Sequence, residues 1–551
     1  MPDFLGIERL SLGPWQAFER TIQRYLLHLR FTDVRLVGGA GDQGADVIGE
    51  REGNIWVVQA KFRSRGQLVG ADAVAEVTTA IDRYRAARAA VATNSGYTAD
   101  AVERARRISA DIGLPVQLWN GDHLLDAGRR IPVYASERDD PRPYQHDAIS
   151  AINDRIMEGA TSALLLMATG LGKTRVAAGV VEQWIYDRPQ SQVLLLASSL
   201  PLVAQLEAAL WPYLPKWIAT HQLTGIEKPT FEGGVTVATQ MSMANRVDVD
   251  YGRFGLVIVD EAHHAPADGY QTLLKALEPT FLMGMTATPW RGDERQIEEI
   301  FGDATFAMSI VEGMQLGYLA DVDYRMLIDD IDWDYVRTEL PASVSIRDLN
   351  RRLFVPERDD AIIAKVVASL SAAANPRCVV FCRSIEHASR VSGLLRAQGW
   401  ANRLMHSHLD RVETTRALHE FRSGQVPVIV TVDMLNEGID IPDVNLIIFL
   451  RVTHSRRIFV QQLGRGLRLS PGKEKVTVLD FVSDVRRIAA AVELNREAEG
   501  SGIDADRPII QRIDGVVTFE NDAALNFFEE YLADVAELDD ESDDAVLKFP
   551  Q

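Results

Sequence analysis

The feature that most constrains this chain is an apolar run that ends in glycine. Ala163-Leu164-Leu165-Leu166 leads into Met167-Ala168-Thr169-Gly170-Leu171-Gly172-Lys173-Thr174, and Arg175-Val176-Ala177-Ala178 then opens a helical pattern. A continuous apolar run reads as a parallel strand buried on both faces, so helices must cover both sides of its sheet. The expected class is therefore α/β. The glycines fall at a strand-to-helix turn, where backbone N–H groups can curl around a phosphate and the positive helix end favours the anion. Gly170 and Gly172 are the candidate cradle, Lys173 is placed to reach the β- and γ-phosphates of ATP, and Thr174 to hold Mg²⁺ through its hydroxyl. The strict pattern begins with Gly or Ala; this chain has Met167 there.

Support comes from a second string. Phe254-Gly255-Leu256-Val257-Ile258-Val259 is another run of parallel-strand type, and it ends in Asp260-Glu261-Ala262-His263. At that position Asp260 can bind Mg²⁺ and Glu261 can orient and deprotonate an attacking water. An acidic pair at a strand end is commonly only solvated, but beside a phosphate loop it becomes the second half of a nucleotide site.

With 551 residues the chain exceeds one core and calls for several domains. No apolar run approaches the roughly 18 residues that span a bilayer, and Met1-Pro2-Asp3 lacks a basic-then-apolar signal pattern, so a cytoplasmic protein with no membrane association is expected. Cys378 and Cys382 are the two cysteines. Four residues apart on a strand, their Cα atoms lie about 13 Å apart, beyond disulfide reach, which makes them core residues. The net charge of −20 is uneven: residues 486–551 hold 6 Lys and Arg against 17 Asp and Glu, whereas residues 1–135 hold 17 against 16. Nucleic-acid binding needs a local basic groove, so the acidic total does not exclude it.

Further pieces follow in order. Gln145, within Arg142-Pro143-Tyr144-Gln145, could read an adenine edge. Gln192–Leu200 and Val235–Gln240 read as further strands ending in small hydroxyl residues, suited to a sugar-phosphate backbone. Thr286-Ala287-Thr288 ends another apolar run and can sense phosphate state. This ordered set resembles a superfamily 2 helicase of the DEAD/DEAH class, closest in style to the motor subunits of type III and related restriction enzymes. Within the second lobe, Val379–Ser384 resembles motif IV, Thr431–Asp440 motif V, and Gln461–Arg468 motif VI. The resemblance implies that Arg465 and Arg468, three apart and expected on one helical face, stabilise the transferring phosphoryl charge, with Gln461 beside them. Gly438 and Asp440 would couple that site to the nucleic-acid track.

Ahead of the motor stands a separate unit. Val37–Gly49 is a glycine-rich entry into a strand that begins at Asp46, and Asn54–Lys61 is a second strand with Gln59 and Lys61 on one face. Asp46 and Gln59-Ala60-Lys61 can meet at one hairpin end. A carboxylate, a second oxygen ligand and a lysine are what Mg²⁺-dependent phosphodiester cleavage requires. The segment resembles the Mrr-type restriction endonucleases, a branch of the Asp…(Asp/Glu)-x-Lys nucleases in which Gln59 takes the place of the second acid. Glu19, on the helix around Trp15–Arg20, matches the additional helical acid of that pattern and would join Asp46 as a metal ligand.

The acidic carboxyl-terminal region carries apolar residues at Leu525, Phe528, Leu532 and Val535, which predicts an amphipathic helix over Asn521–Leu538. The acids after it read as a solvated end, or as a mimic of DNA phosphates.

The expected architecture is α/β throughout: a restriction-endonuclease-like domain at 1–132, a linker at 133–141, RecA-like lobes at 142–325 and 356–485 with a connector at 326–355, and a mainly helical acidic region at 486–551. The expected function is an ATP-driven DNA translocase carrying a Mg²⁺-dependent DNA endonuclease, in restriction or anti-phage defence, alongside protein partners of such a system. The alternatives are a repair helicase-nuclease and a DNA-sensing ATPase whose amino-terminal domain only binds.

Overall fold

The computed structural model describes residues 3–328, apart from short stretches at 38–43, 136–139, 229–232, 245–253 and 288–293 and single positions; farther on it describes 343–345, most of 359–432, 444–450, parts of 466–482, and 546–548. The described residues fall into two compact units, one drawn from residues up to 307 and one mainly from 308 onward, to which 167–171 also belong.

In the first unit, the amino-terminal sheet has the order β1-β2-β3-β4-β5. Its strands are β1 (Thr32–Leu36), β2 (Val47–Arg51), β3 (Asn54–Lys61), β4 (Arg88–Thr93) and β5 (Val116–Trp119). β2 and β3 are an antiparallel hairpin, with Val47 opposite Val58, and β3, β4 and β5 run parallel. Strict alternation along β3 sends its side chains to two cores. Val58 and Ala60 pack with Phe18, Ile22, Tyr25 and Leu26, after the short helix α1 (Ile7–Leu12), on α2 (Trp15–His28). Val57 packs on the other face with Ala73, Val74, Val77 and Ile81 of α3 (Ala71–Tyr84), beside α4 (Ala99–Asp111). Each fully buried Leu, Ile or Val contributes about 1.5–3 kcal/mol relative to exposure, so the two apolar helix faces fix which side of the hairpin each residue occupies. Next comes α5 (Gly121–Arg130), whose N-cap Asn120 accepts from the His123 N–H.

The same unit continues with α6 (Pro143–Met157) and a second sheet, ordered β12-β6-β11-β10-β7-β9-β8. Its elements are β6 (Ser162–Met167), α7 (Lys173–Asp187), β7 (Gln192–Ala197), α8 (Leu200–Leu210), β8 (Thr220–Leu223), β9 (Val235–Thr239), α9 (Gln240–Ala244), β10 (Phe254–Asp260), α10 (Asp268–Leu277), β11 (Phe281–Thr286), α11 (Glu294–Phe301) and β12 (Ala304–Met308). β6, β11, β10, β7, β9 and β8 are parallel in that succession. As the unbroken apolar runs require, Leu194, Leu196, Val257 and Val259 are buried; Tyr270, Leu273, Leu274 and Leu277 close over them as an i, i+3, i+4, i+7 stripe on α10.

The second unit begins with α12 (Ile310–Gln315), whose Ser309 and Glu312 form a capping box, and carries a sheet ordered β13-β19-β18-β15-β17-β16. The strands are β13 (Asp321–Ile328), β15 (Cys378–Cys382), β16 (Asn402–Met405), β17 (Val428–Thr431), β18 (Leu446–Leu450) and β19 (Lys475–Val482), all paired in parallel. Cys378 and Cys382 are buried in β15 and form no disulfide, as expected. β14 (Ser343–Ser345) and β20 (Val546–Lys548) form an antiparallel pair. No described helix is long and apolar enough to cross a membrane. The amphipathic helix expected over Asn521–Leu538 lies outside the described residues.

Candidate functional site

Asp46, Gln59 and Lys61, the candidates for phosphodiester cleavage, lie where the β2–β3 hairpin opens. Asp46 precedes β2, and its N–H donates to the Val58 carbonyl at 2.9 Å, which locks it against β3. Asp46 Oδ2 accepts from Gln59 Nε2 and from the Ala60 N–H, both at 2.6 Å. Both residues are buried, each 2% exposed. With its amide nitrogen committed to Asp46, Gln59 leaves Oε1 buried without a hydrogen-bond partner. A buried amide oxygen left bare costs about 1–3 kcal/mol, so such an atom calls for a ligand.

Lys61 shares a β3 face with Gln59 and pairs through Nζ with Glu76 Oε2 at 2.6 Å. Glu76 lies on α3, next to the buried Val77, and no local pattern singled it out. The available signal is an acid on the shoulder of the apolar stripe of the helix that follows Lys61. Gly44 also lies against this helix: a Cβ there, at φ 96°, would sit 1.9 Å from the Glu76 carbonyl oxygen. Glu19 is carried on α2, which covers the opposite face of the sheet, and it is half-buried there. Among the described residues no three of His, Cys, Asp and Glu lie close enough together to hold a metal ion. One carboxylate with one amide oxygen still suits Mg²⁺, which retains several waters and takes few protein ligands.

The nucleotide residues lie along the carboxyl ends of the second sheet's parallel strands. Gly170 and Gly172 have φ of 93° and 89°, conformations that glycine adopts freely. A Cβ at Gly172 would stand 2.5 Å from Gln145 Nε2, so the turn is shaped for a bare backbone, and Gln145 from α6 lies against it. Gln145 Oε1 also accepts the Arg142 N–H at 3.0 Å. Lys173 and Thr174 open α7 with Gly172 as N-cap, at the positive end of the helix.

Asp260 ends β10, and its Oδ1 accepts the Glu261 N–H at 3.0 Å. Glu261 has φ 50°, a left-handed conformation that costs a non-glycine residue about 1–3 kcal/mol and is characteristic of functional turns. Its Oε2 is buried without a hydrogen bond, 3.4 Å from His263 Nδ1. His263 Nδ1 also lies 3.0 Å from Thr286 Oγ1, where β11 ends. This His263–Thr286 link joins two strings that were read separately. Burial and the neighbouring Asp260 charge push the Tyr270 phenol up to about 12.

Thr239 stands at the end of β9, where its Oγ1 accepts the Ser242 N–H at 3.1 Å. In the second unit, Arg468 is described and Arg465 is not. It follows the last helical residue, Gly466, and pairs as an antiparallel bridge with Leu319, while the Ala320 N–H donates to Leu467 O at 2.8 Å. Backbone pairing ahead of β13 therefore holds Arg468 beside Leu319. Arg465, Gln461, Gly438, Asp440 and Thr288 lie outside the described residues.

Three family models match the chain in succession. Restriction endonuclease (the Mrr catalytic type) covers residues 11–127; Type III restriction enzyme, res subunit covers 138–291; Helicase conserved C-terminal domain covers 361–470. The endonuclease subunit of the type I restriction enzyme EcoAI from Escherichia coli is 25% identical over 78% of this chain and 56% of its own length. The DNA 3'-5' translocase XPB2 of Sulfurisphaera tokodaii is 25% identical over 59% of this chain and 78% of its own. Of two yeast helicase relatives the chain spans 59% and 51%, so it covers little more than half the length of several relatives it matches. Among solved structures, the ATP-dependent Type ISP restriction-modification enzyme LlaBIII bound to DNA shares the fold, with a TM-score of 0.52, 18% identity, and coverage of 85% of this chain and 36% of that one. In succession, then, the chain is similar to a restriction endonuclease of the Mrr type, to the res subunit of type III restriction enzymes and to the conserved carboxyl-terminal domain of helicases.

Proposed function

We propose that this protein is an ATP-driven DNA translocase that carries a Mg²⁺-dependent DNA endonuclease and acts in restriction or defence against foreign DNA. The observation that carries the nuclease half is the buried Gln59 Oε1, left without a partner beside Asp46. Asp46 and Gln59 would hold the metal, which when bound polarises the scissile phosphate and favours ionisation of a water. Gln59 Nε2 and the Ala60 N–H hold the Asp46 carboxylate in one orientation. Lys61 carries the positive charge that faces the phosphate, and Glu76 fixes its ammonium. Glu19 is retained as a candidate further ligand.

On the motor side, Gly170, Gly172 and Lys173 would cradle the triphosphate, Thr174 and Asp260 would hold its Mg²⁺, and Gln145 would read the base. Glu261 would take the proton of the attacking water, and the His263–Thr286 contact supports a path from hydrolysis to the neighbouring strand end. Arg465, Arg468 and Gln461 are proposed to meet the phosphoryl charge, with Gly438 and Asp440 coupling to the DNA track. DNA as substrate, ATP and Mg²⁺ as cofactors, and protein partners from a defence system belong to this reading.

The test is plasmid cleavage by the full chain with Asp46→Ala and Lys61→Ala. Both variants are expected to lose cutting while DNA-stimulated ATP hydrolysis persists. Cutting at the wild-type rate in both would refute the assignment, and a wild type that binds but never nicks DNA would leave an ATPase with an inert binding domain.

A further inference from the structure

α2 has a second face. Its apolar residues pack on their own sheet, while Arg20 and Arg24, at i and i+4, reach residues of the helicase-type lobe of the same unit. Arg20 Nη1 and Nη2 donate to Glu227 Oε2 and Oε1 at 2.8 and 2.5 Å, and Arg20 Nε lies 2.7 Å from Glu207 Oε2. The three side chains are 5%, 6% and 0% exposed. Glu207, on α8, also accepts from Thr220 Oγ1 at 2.6 Å and Gln222 Nε2 at 2.8 Å, both on β8. Arg24 donates to the carbonyls of Ile218 at 2.8 Å and Pro215 at 3.0 Å, and its guanidinium lies over the Phe4 ring. Lys216 reaches back, donating through Nζ to the Gly128 carbonyl at 2.7 Å and through its N–H to the Val133 carbonyl at 2.8 Å.

Charges this deeply buried persist only when all partners are present together, and removing one strands the others. The pairs form only if the endonuclease sheet is seated on α8 and β8. α8 is also the helix that leaves Ser198-Ser199, the strand end suited to a nucleic-acid backbone. We infer that Arg20 is a positioning residue: with Glu207 and Glu227 it fixes the endonuclease domain to the first motor lobe as one body, so that the cut falls at a set offset from the strand this lobe grips. The offset rests on the proposed function; the seating does not.

The test uses the full chain with nitroxide labels at Arg107→Cys on α4 and Tyr186→Cys on α7, both exposed. Cys378 and Cys382 are buried and stay unlabelled. With Arg20 intact, one narrow distance distribution is expected. Arg20→Ala should broaden it, lower ATP-dependent cleavage on the order of tenfold or more, and leave DNA-stimulated ATP hydrolysis within about twofold. If Arg20→Ala does not fold, Arg20→Met with Glu207→Gln and Glu227→Gln removes the three charges together and takes its place with the same expectations. A distribution already broad in the parent protein, or unchanged in a folded variant, overturns the inference. A parent protein that cuts no DNA would defeat the proposed function while the label distances still decide the seating.

Discussion

In the proposed site, Gln59 is one uncharged residue that would serve a metal. Its Nε2 restrains Asp46 and its Oε1 waits unpaired on the other side of the amide. Gln59→Glu would place a second carboxylate against the first and delete a hydrogen bond, costing the metal-free protein about 1–3 kcal/mol. The expected signature is a lower melting temperature without Mg²⁺ that recovers as Mg²⁺ is added, because the added charge binds the ion more tightly; a melting temperature unmoved by Mg²⁺ speaks against the ligand role. Glu76→Gln releases the Lys61 ammonium from its 2.6 Å partner and should slow cleavage with metal affinity little changed. On the motor side, Glu261→Gln keeps the turn but removes the proposed base, so the variant should accumulate with ATP bound on DNA, read as slow release of labelled nucleotide.

At the scale of elements, α2 carries the clearest pH dependence. His28 stacks on Phe4, donates through Nδ1 to the Pro132 carbonyl, and faces Arg24 and Lys216; burial, reinforced by Arg24, pushes its pKa from 6.5 down to about 3. The unfolded chain therefore binds a proton that the folded one refuses. Stability from this site is intact above pH 6.5 and drains away as pH falls toward 3, by up to about 1.4 kcal/mol per pH unit. Unfolding midpoints in urea measured at several pH values should fall across that window, and His28→Asn should flatten the decline; equal slopes in both proteins would contradict the assignment. What could be read from sequence here was whatever is local. The strand, glycine turn and helix around Lys173 lie in one short stretch, and Asp46 meets Gln59 across a single hairpin. Glu76 was hidden because it comes from the layer above, and the Arg20 clasp because its partners are brought in from 207 residues away for Glu227. The pairing of Arg468 with Leu319 joins positions far apart in sequence, which local spacing does not report.

For the whole molecule, seating the endonuclease sheet on the first motor lobe predicts that the two proposed chemistries are separable by mutation yet tied in space. The acidic charge concentrated in residues 486–551 stands apart from both sites in sequence. Removing residues after Leu538 should leave DNA affinity and resting ATP hydrolysis unchanged if that stretch is a solvated end, and raise both if it imitates DNA. The most direct measurement of the central claim is supercoiled-plasmid cleavage by the purified chain, with and without ATP and Mg²⁺, beside Lys173→Ala and Asp46→Ala. Cutting that needs both ATP and Mg²⁺, lost with ATP hydrolysis in Lys173→Ala and lost alone in Asp46→Ala, is the predicted result; cutting that survives Asp46→Ala, or ATP hydrolysis that survives Lys173→Ala, would contradict it.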